Sequence, residues 1–164
     1  MEVDGMFQIG DYIVYPLHGA GVIEAIEEKE VLGKKREYCV MNFLINQLRV
    51  MIPIERMSQA CVRKVADTET MKEVLKRVCS GTTDPSIPYK QRYKVNMEKL
   101  KTGRLEEEAE VIRDLMRMDK EKKLNSSEKT MLRDAQRYVV SEVELIKGVT
   151  EEEAAKLLRK RMTV

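Results

Sequence analysis

The chain lacks tryptophan altogether, and has two phenylalanines, one histidine and three cysteines among 164 residues. A lone histidine, His18, and no Cys-x-x-Cys pair leave no ligand set for zinc, so no metal is expected. Cys39, Cys61 and Cys79 are far apart and odd in number. They read as reduced, structural thiols and not as a disulfide framework. Thiol catalysis would have to use His18, which stands in a glycine-rich turn, so it is only a remote reading. No apolar run approaches the roughly 18 residues of a membrane span. No basic-then-apolar stretch opens the chain, although Met6 offers a second start beside Met1. The expectation is a cytoplasmic protein with no membrane partner. No phosphate loop, paired-carboxylate site or nucleophile elbow is visible. The expectation is therefore not an enzyme but a binding protein, with no cofactor and no small-molecule substrate.

Charge is plentiful, at 35% of residues, yet it nearly cancels to a net +2. Its distribution is more informative than its sum. Residues 1–66 carry 8 basic and 9 acidic side chains, and residues 67–164 carry 22 and 19. Lys90, Arg92, Lys94, Lys99, Lys101 and Arg104 crowd into fifteen residues against one acid, Glu98. That segment has the composition to meet a polyanion.

The patterning changes near residue 66. Before it, short β-branched and aromatic runs alternate with turn residues. Asp11 to Tyr15 is stopped by Pro16, and His18-Gly19-Ala20-Gly21 supplies turn chemistry. Gly21 to Val31 alternates in part, Leu32-Gly33-Lys34-Lys35 is a hairpin turn, and Glu37 to Ile45 is a long apolar strand broken by Asn46-Gln47. Leu48 to Ile54 carries Pro53, as an edge strand tolerates. Such strands predict a small β barrel.

After residue 66 the apolar period becomes helical. Met71, Val74, Leu75 and Val78 precede Gly81. A linker with Pro85 leads to Pro88, suited to a first helical turn. Tyr89, Tyr93, Met97 and Leu100 form one stripe, ended by Gly103. Leu105, Ala109, Ile112 and Met116 form the next. Asn125-Ser126-Ser127-Glu128 resembles a capping box, and Thr150 to Glu153 repeats that device. Five helices in a compact bundle are expected. The eleven methionines suit irregular core gaps. The fold class is α+β, with a barrel domain over 1–66 and an all-helical domain over 67–164.

Phe7 through Gly21, with its Gly10-Asp11 pair, Val14-Tyr15-Pro16 and His18-Gly19, resembles the opening of the CarD/CdnL family of bacterial transcription regulators. Transcription-repair coupling factor carries a similar module. The likeness continues through Glu24-Ala25-Ile26, Glu37-Tyr38 and Val50-Met51-Ile52-Pro53. It resumes at Arg92-Tyr93-Lys94, Asn96, Glu98-Lys99-Leu100, Gly103, Val111 to Leu115, and Leu124 to Lys129. The resemblance implies a Tudor-like (SH3-like) barrel that binds the RNA polymerase β subunit. It also implies a helical domain that contacts promoter DNA at the upstream edge of the bubble and stabilises the open complex.

On that resemblance the DNA-binding candidates are Tyr89, Lys90, Arg92, Lys94, Lys101 and Arg104. The polymerase-binding candidates are Lys29, Arg49, Val50, Met51 and Ile52. Tyr89 stands where relatives commonly place a tryptophan wedge. Met51 stands where relatives often carry arginine, so a charged contact shifts to Arg49. Met116, where another family tryptophan would fall, reads as a packing exchange. Tyr93 is expected in the core and His18 in turn geometry. The other reading from the residues is an adaptor whose helical domain, with mixed charge from Gly103 to Gly148, meets proteins and not DNA.

Overall fold

The computed structural model describes residues 6–163 in full and the backbone of residues 2–3. Strands come first: β1 (Glu2–Val3), β2 (Phe7–Gln8), β3 (Tyr12–Tyr15), β4 (Gly19–Val31), β5 (Lys34–Phe43), β6 (Arg49–Pro53) and β7 (Arg63–Lys64). Short 3-10 helices occupy Ile45–Gln47 and Ile54–Gln59. Five α-helices follow among the described residues: α1 (Thr68–Cys79), α2 (Tyr89–Lys101), α3 (Leu105–Glu121), α4 (Ser126–Lys147) and α5 (Glu151–Arg161).

The main sheet is antiparallel, in the order β6-β5-β4-β3-β7, with β1 and β2 forming a separate pair. The ladder does not close, so the barrel is open, with β6 and β7 as its edges. Leu32 and Gly33 make the β4–β5 turn with φ of 53° and 77°. Two positive φ values let a two-residue hairpin match the right-handed twist of its strands. The partial alternation of β4 has a local cause: the β4–β5 register shifts between Ile23 and Ala25. A bulge of this kind moves the following side chains to the other face. Ile13, Ile23, Cys39, Met41 and Phe43 form the sheet's core, which Phe7 and Met57 complete.

The helical half has its own core, centred on Leu75, Leu100, Ile112, Leu115, Met131 and Val139. Burying each such side chain is worth about 1.5–3 kcal/mol, which outweighs weak helix propensity. Caps fix the helix ends. Asp67 accepts from the Thr70 N–H at 2.7 Å before α1. Thr150 and Glu153 form a full capping box before α5. The last turn of α1 and the linker that follows it are pinned from α3. Arg113 donates to the Val78 carbonyl at 2.8 Å, and Arg117 donates to the Gly81 and Cys79 carbonyls at 2.7 and 2.8 Å.

The two halves meet along α4 and β4. The Ala20 N–H donates to Ser141 Oγ at 2.9 Å. Gly19 lies so close to α4 that a Cβ there would stand 2.8 Å from Ser141 Oγ and 2.9 Å from Ile45 Cδ1. A Cβ on Gly103 would meet Pro16 at 2.8 Å. Gly19 and Ala20, near the start of the chain, are thus a docking surface for a helix more than a hundred residues away.

Candidate functional site

Helix α2 presents two faces. Asn96 and Leu100 are buried, while Lys90, Lys94, Val95 and Lys101 are exposed. Pro88 does not enter the first turn as expected. It precedes it, with φ −58° and ψ 148°, and orients the chain entering at Tyr89. Lys90, Lys94 and Arg104 form no ion pair among the described residues. Lys101 lies 3.7 Å from Glu98, an exposed pair of little strength. Lys99 is engaged with Glu110 at 2.8 Å.

Arg92 differs from its basic neighbours. Its Nε and Nη2 donate to the two oxygens of Glu128 at 2.8 and 2.7 Å, and Nη1 donates to the Ile87 carbonyl. The paired, hydrogen-bonded Glu128 holds the Arg92 guanidinium more firmly protonated than usual. Such a fork-to-fork bond is geometrically exacting. In this structure Arg92 is engaged by Glu128 and the Ile87 carbonyl, so it braces the start of α2 where the exposed lysines do not. The carboxylate it uses explains a second departure. Asn125 Oδ1 accepts from the Glu128 N–H at 2.9 Å, as a cap should. The Glu128 side chain, however, reaches across to Arg92 and does not complete a capping box.

Tyr89 completes this cluster. Its ring lies 5.9 Å below the Arg92 guanidinium carbon and 6.1 Å from the Tyr93 ring. A cation over an aromatic face contributes about 0.5–1 kcal/mol at an exposed site. Tyr89 remains exposed, at 39%. The contacts Glu128–Arg92–Tyr89 place an exposed aromatic ring under a held guanidinium, on the helix that carries Lys90 and Lys94. Tyr93 packs half-buried against the helical core, as expected, and also lines a cleft of about 300 Å³ with Leu17, Thr130, Asp134 and Tyr138.

The second candidate surface is β6, which pairs with β5 on one side and leaves its other edge unpaired in the sheet. Val50 and Ile52 pack against the barrel core, so they are half-buried supports for the edge. Arg49 is exposed and lies 2.8 Å from Glu27 and 3.7 Å from Glu24. Exposed pairs exchange partners at small cost. Met51 is half-buried, opposite Val40. Lys29 is exposed on β4, opposite Arg36 of β5. Lys29 lies in the projecting part of the β4–β5 hairpin, beyond the rows that pair with β6.

The residues that hold these surfaces in one frame gave no signal in the sequence. Arg63 donates to both oxygens of Glu142, at 2.8 and 2.7 Å, and to the Gly103 carbonyl at 2.7 Å. Glu142 also accepts from the Ala66 N–H at 2.8 Å. Burial alone would lower the Arg63 pKa; the bond to Glu142 and its charge outweigh that and raise it. Glu108 lies 3.7 Å from Arg63, fully buried, with neither oxygen hydrogen-bonded among the described residues. Burial first, and the nearby Glu142 charge second, push its pKa up to about 8 against the pull of Arg63. Short distance to a cation would suggest an ordinary ionised carboxylate, but without a hydrogen bond desolvation dominates and favours the neutral form of Glu108.

The remaining singled-out residues have structural settings. His18 Nδ1 lies 3.1 Å from the Pro16 carbonyl, and its ring packs on Tyr15 and Phe43. Cys39 is buried, and burial pushes its thiol up to about 11. Cys61 is exposed, unlike a packed structural thiol, and Cys79 is half-buried beside Met162. Met116 is half-buried against the helical core. No group of three metal-ligating side chains occurs among the described residues, and no helix there is long and apolar enough to cross a membrane.

Comparison with known proteins places both halves. The CarD-like/TRCF RID domain model matches residues 7–66, and the CarD C-terminal domain model matches residues 73–159. The Bacillus subtilis (strain 168) protein named "Putative transcription factor YdeB" is 52% identical over 148 residues, covering 90% of this chain and 97% of that one. A solution structure of the 72-residue N-terminal domain of Myxococcus xanthus CarD is 34% identical, covering 35% of this chain and 77% of that one. Its TM-score is 0.30, too low for the overlay to bear on the fold.

Proposed function

Because the chain belongs to the CarD family of transcription factors, we propose that it binds the RNA polymerase β subunit through the β6 edge and props promoter DNA open with the start of α2. The carrying observation is the exposed Tyr89 ring at the start of α2, under an Arg92 guanidinium that Glu128 holds, on a helix whose Lys90 and Lys94 form no ion pair among the described residues. An edge strand offers unsatisfied backbone groups to a partner strand, Arg49 and Met51 add side-chain contacts beside it, and Lys29 meets the partner from the projecting β4–β5 hairpin. Tethering by that edge raises the local concentration of DNA around α2, so weak contacts suffice.

Lys90, Lys94, Lys101 and Arg104 then neutralise phosphates without reading sequence. Tyr89 wedges beside an unstacked step at the upstream edge of the bubble. Closing the bubble expels the ring, so only the open state gains its contact. A difference of about 1.4 kcal/mol shifts the open-to-closed ratio about tenfold. Polymerase performs the chemistry.

The test uses the full chain. Wild type should capture a purified polymerase β fragment, and the pair Arg49→Glu with Met51→Asp should lose it while remaining folded. Wild type should also shift promoter DNA in a salt-sensitive manner. Retained capture with no DNA shift at low salt would favour the adaptor reading, in which the helical domain meets protein. Loss of neither on substitution would place the polymerase contact elsewhere.

A further inference from the structure

The barrel and the helical domain are joined by a knot of three ionisable groups from three elements, two buried carboxylates and a half-buried guanidinium. Arg63 comes from β7, Glu142 from α4 and Glu108 from α3. Arg63 satisfies Glu142 completely, through two short bonds, and ties the α2–α3 turn through the Gly103 carbonyl. Glu142 reaches back to the Ala66 N–H, at the point where strand gives way to helix. One guanidinium and one carboxylate thus tie the last strand, the interdomain crossing, the end of α2 and the longest helix.

Glu108 is the odd member. It is as buried as Glu142, close to the same cation, and has no hydrogen bond of its own among the described residues. Arg63 on β7 and Glu142 on α4 face it, Tyr138 of α4 lies close enough to feel its charge, and Glu107 neighbours it on α3 with one buried oxygen unbonded. With Glu108 neutral, the cluster holds one cation and one anion, which balance. With Glu108 ionised, it holds two anions around one cation, and the second anion has no donor. A buried charge in that position must draw in water or leave.

We propose that Arg63, Glu142 and Glu108 are positioning residues forming an interdomain lock, which fixes the β6 edge relative to Tyr89 and holds only while Glu108 is protonated. The physical consequence is a fixed reach: two surfaces that must engage two partners at once gain from a rigid span, because a mobile one dilutes the second contact. This consequence rests on the transcription role proposed above; the lock itself does not.

Pulsed dipolar distance measurement tests it without polymerase or DNA. Spin labels are attached at Lys34→Cys on the hairpin and Lys123→Cys beyond α3, both exposed positions, in a Cys61→Ser, Cys79→Ser background. Near pH 6.5 a single narrow distribution is expected, and near pH 9 one roughly twofold wider. Glu108→Gln, a neutral isostere, should stay narrow at both values, and Arg63→Met should be broad at both. Equal widths at both pH values in the otherwise native junction, or broadening of Glu108→Gln at high pH, overturns the lock. Should Arg63→Met fail to fold, the Glu108→Gln pair of measurements decides. Failure here leaves the polymerase and DNA tests of the proposed function standing, and their failure leaves this one standing.

Discussion

The domain junction and the outer face of α2 are both rich in charge, and they use it in opposite ways. At the junction every cation is committed: Arg63 has Glu142, Glu108 and a carbonyl within reach. On α2, Lys90 and Lys94 stand exposed, with no partner among the described residues. Arg92 sits between these regimes, charged like the lysines but bonded like Arg63. The lesson is that a basic run in sequence mixes residues that hold the fold with residues left for a partner. Only pairing separates them.

That contrast predicts where substitutions act. The largest effect belongs to the junction. Arg63→Met strands the buried Glu142 and should cost about 3–5 kcal/mol in urea unfolding. Next is Arg92→Met, which leaves Glu128 without its partner. It should cost about 1–3 kcal/mol in the same measurement and also release Tyr89. Third is the pH dependence set by Glu108. Its folded value of about 8 lies above the ordinary 4.5. As pH rises, the unfolded chain releases this proton first, so this group's contribution to stability falls between pH 4.5 and 8 and is flat above. Glu108→Gln should remove that slope, seen as a smaller loss of Tm between those values. The smallest stability effect belongs to α2. Lys90→Ala with Lys94→Ala should stay within about 0.5 kcal/mol of wild type. The same pair should lower promoter DNA affinity and reduce the salt slope by about 2. A large stability loss there would erase the distinction between the two regions.

Much of the fold was legible because it depends on local rules. The β4–β5 turn followed from Leu32-Gly33, the edge position of β6 from Pro53, and the start of α5 from Thr150 and Glu153. What stayed hidden depends on contacts between distant residues. Nothing near Arg63 announces Glu142, 79 positions away. Gly19 reads as turn chemistry until Ser141 is seen against it. The bulge after Ile23 blurs the β4 alternation, and the sheet's failure to close is a property of strand order, not of any strand. Within the candidate site, the charge distribution pointed to the basic segment and the resemblance to Tyr89. Neither could show that Arg92 would be drawn inward by Glu128, whose position suggested a capping box.

The most direct test of the central claim is the lifetime of the open promoter complex with the intact chain and with Tyr89→Ala, at saturating protein and one promoter. The account predicts a lifetime shortened several-fold, toward about tenfold, with polymerase binding unchanged. An identical lifetime for the two chains, both bound to polymerase, would contradict it.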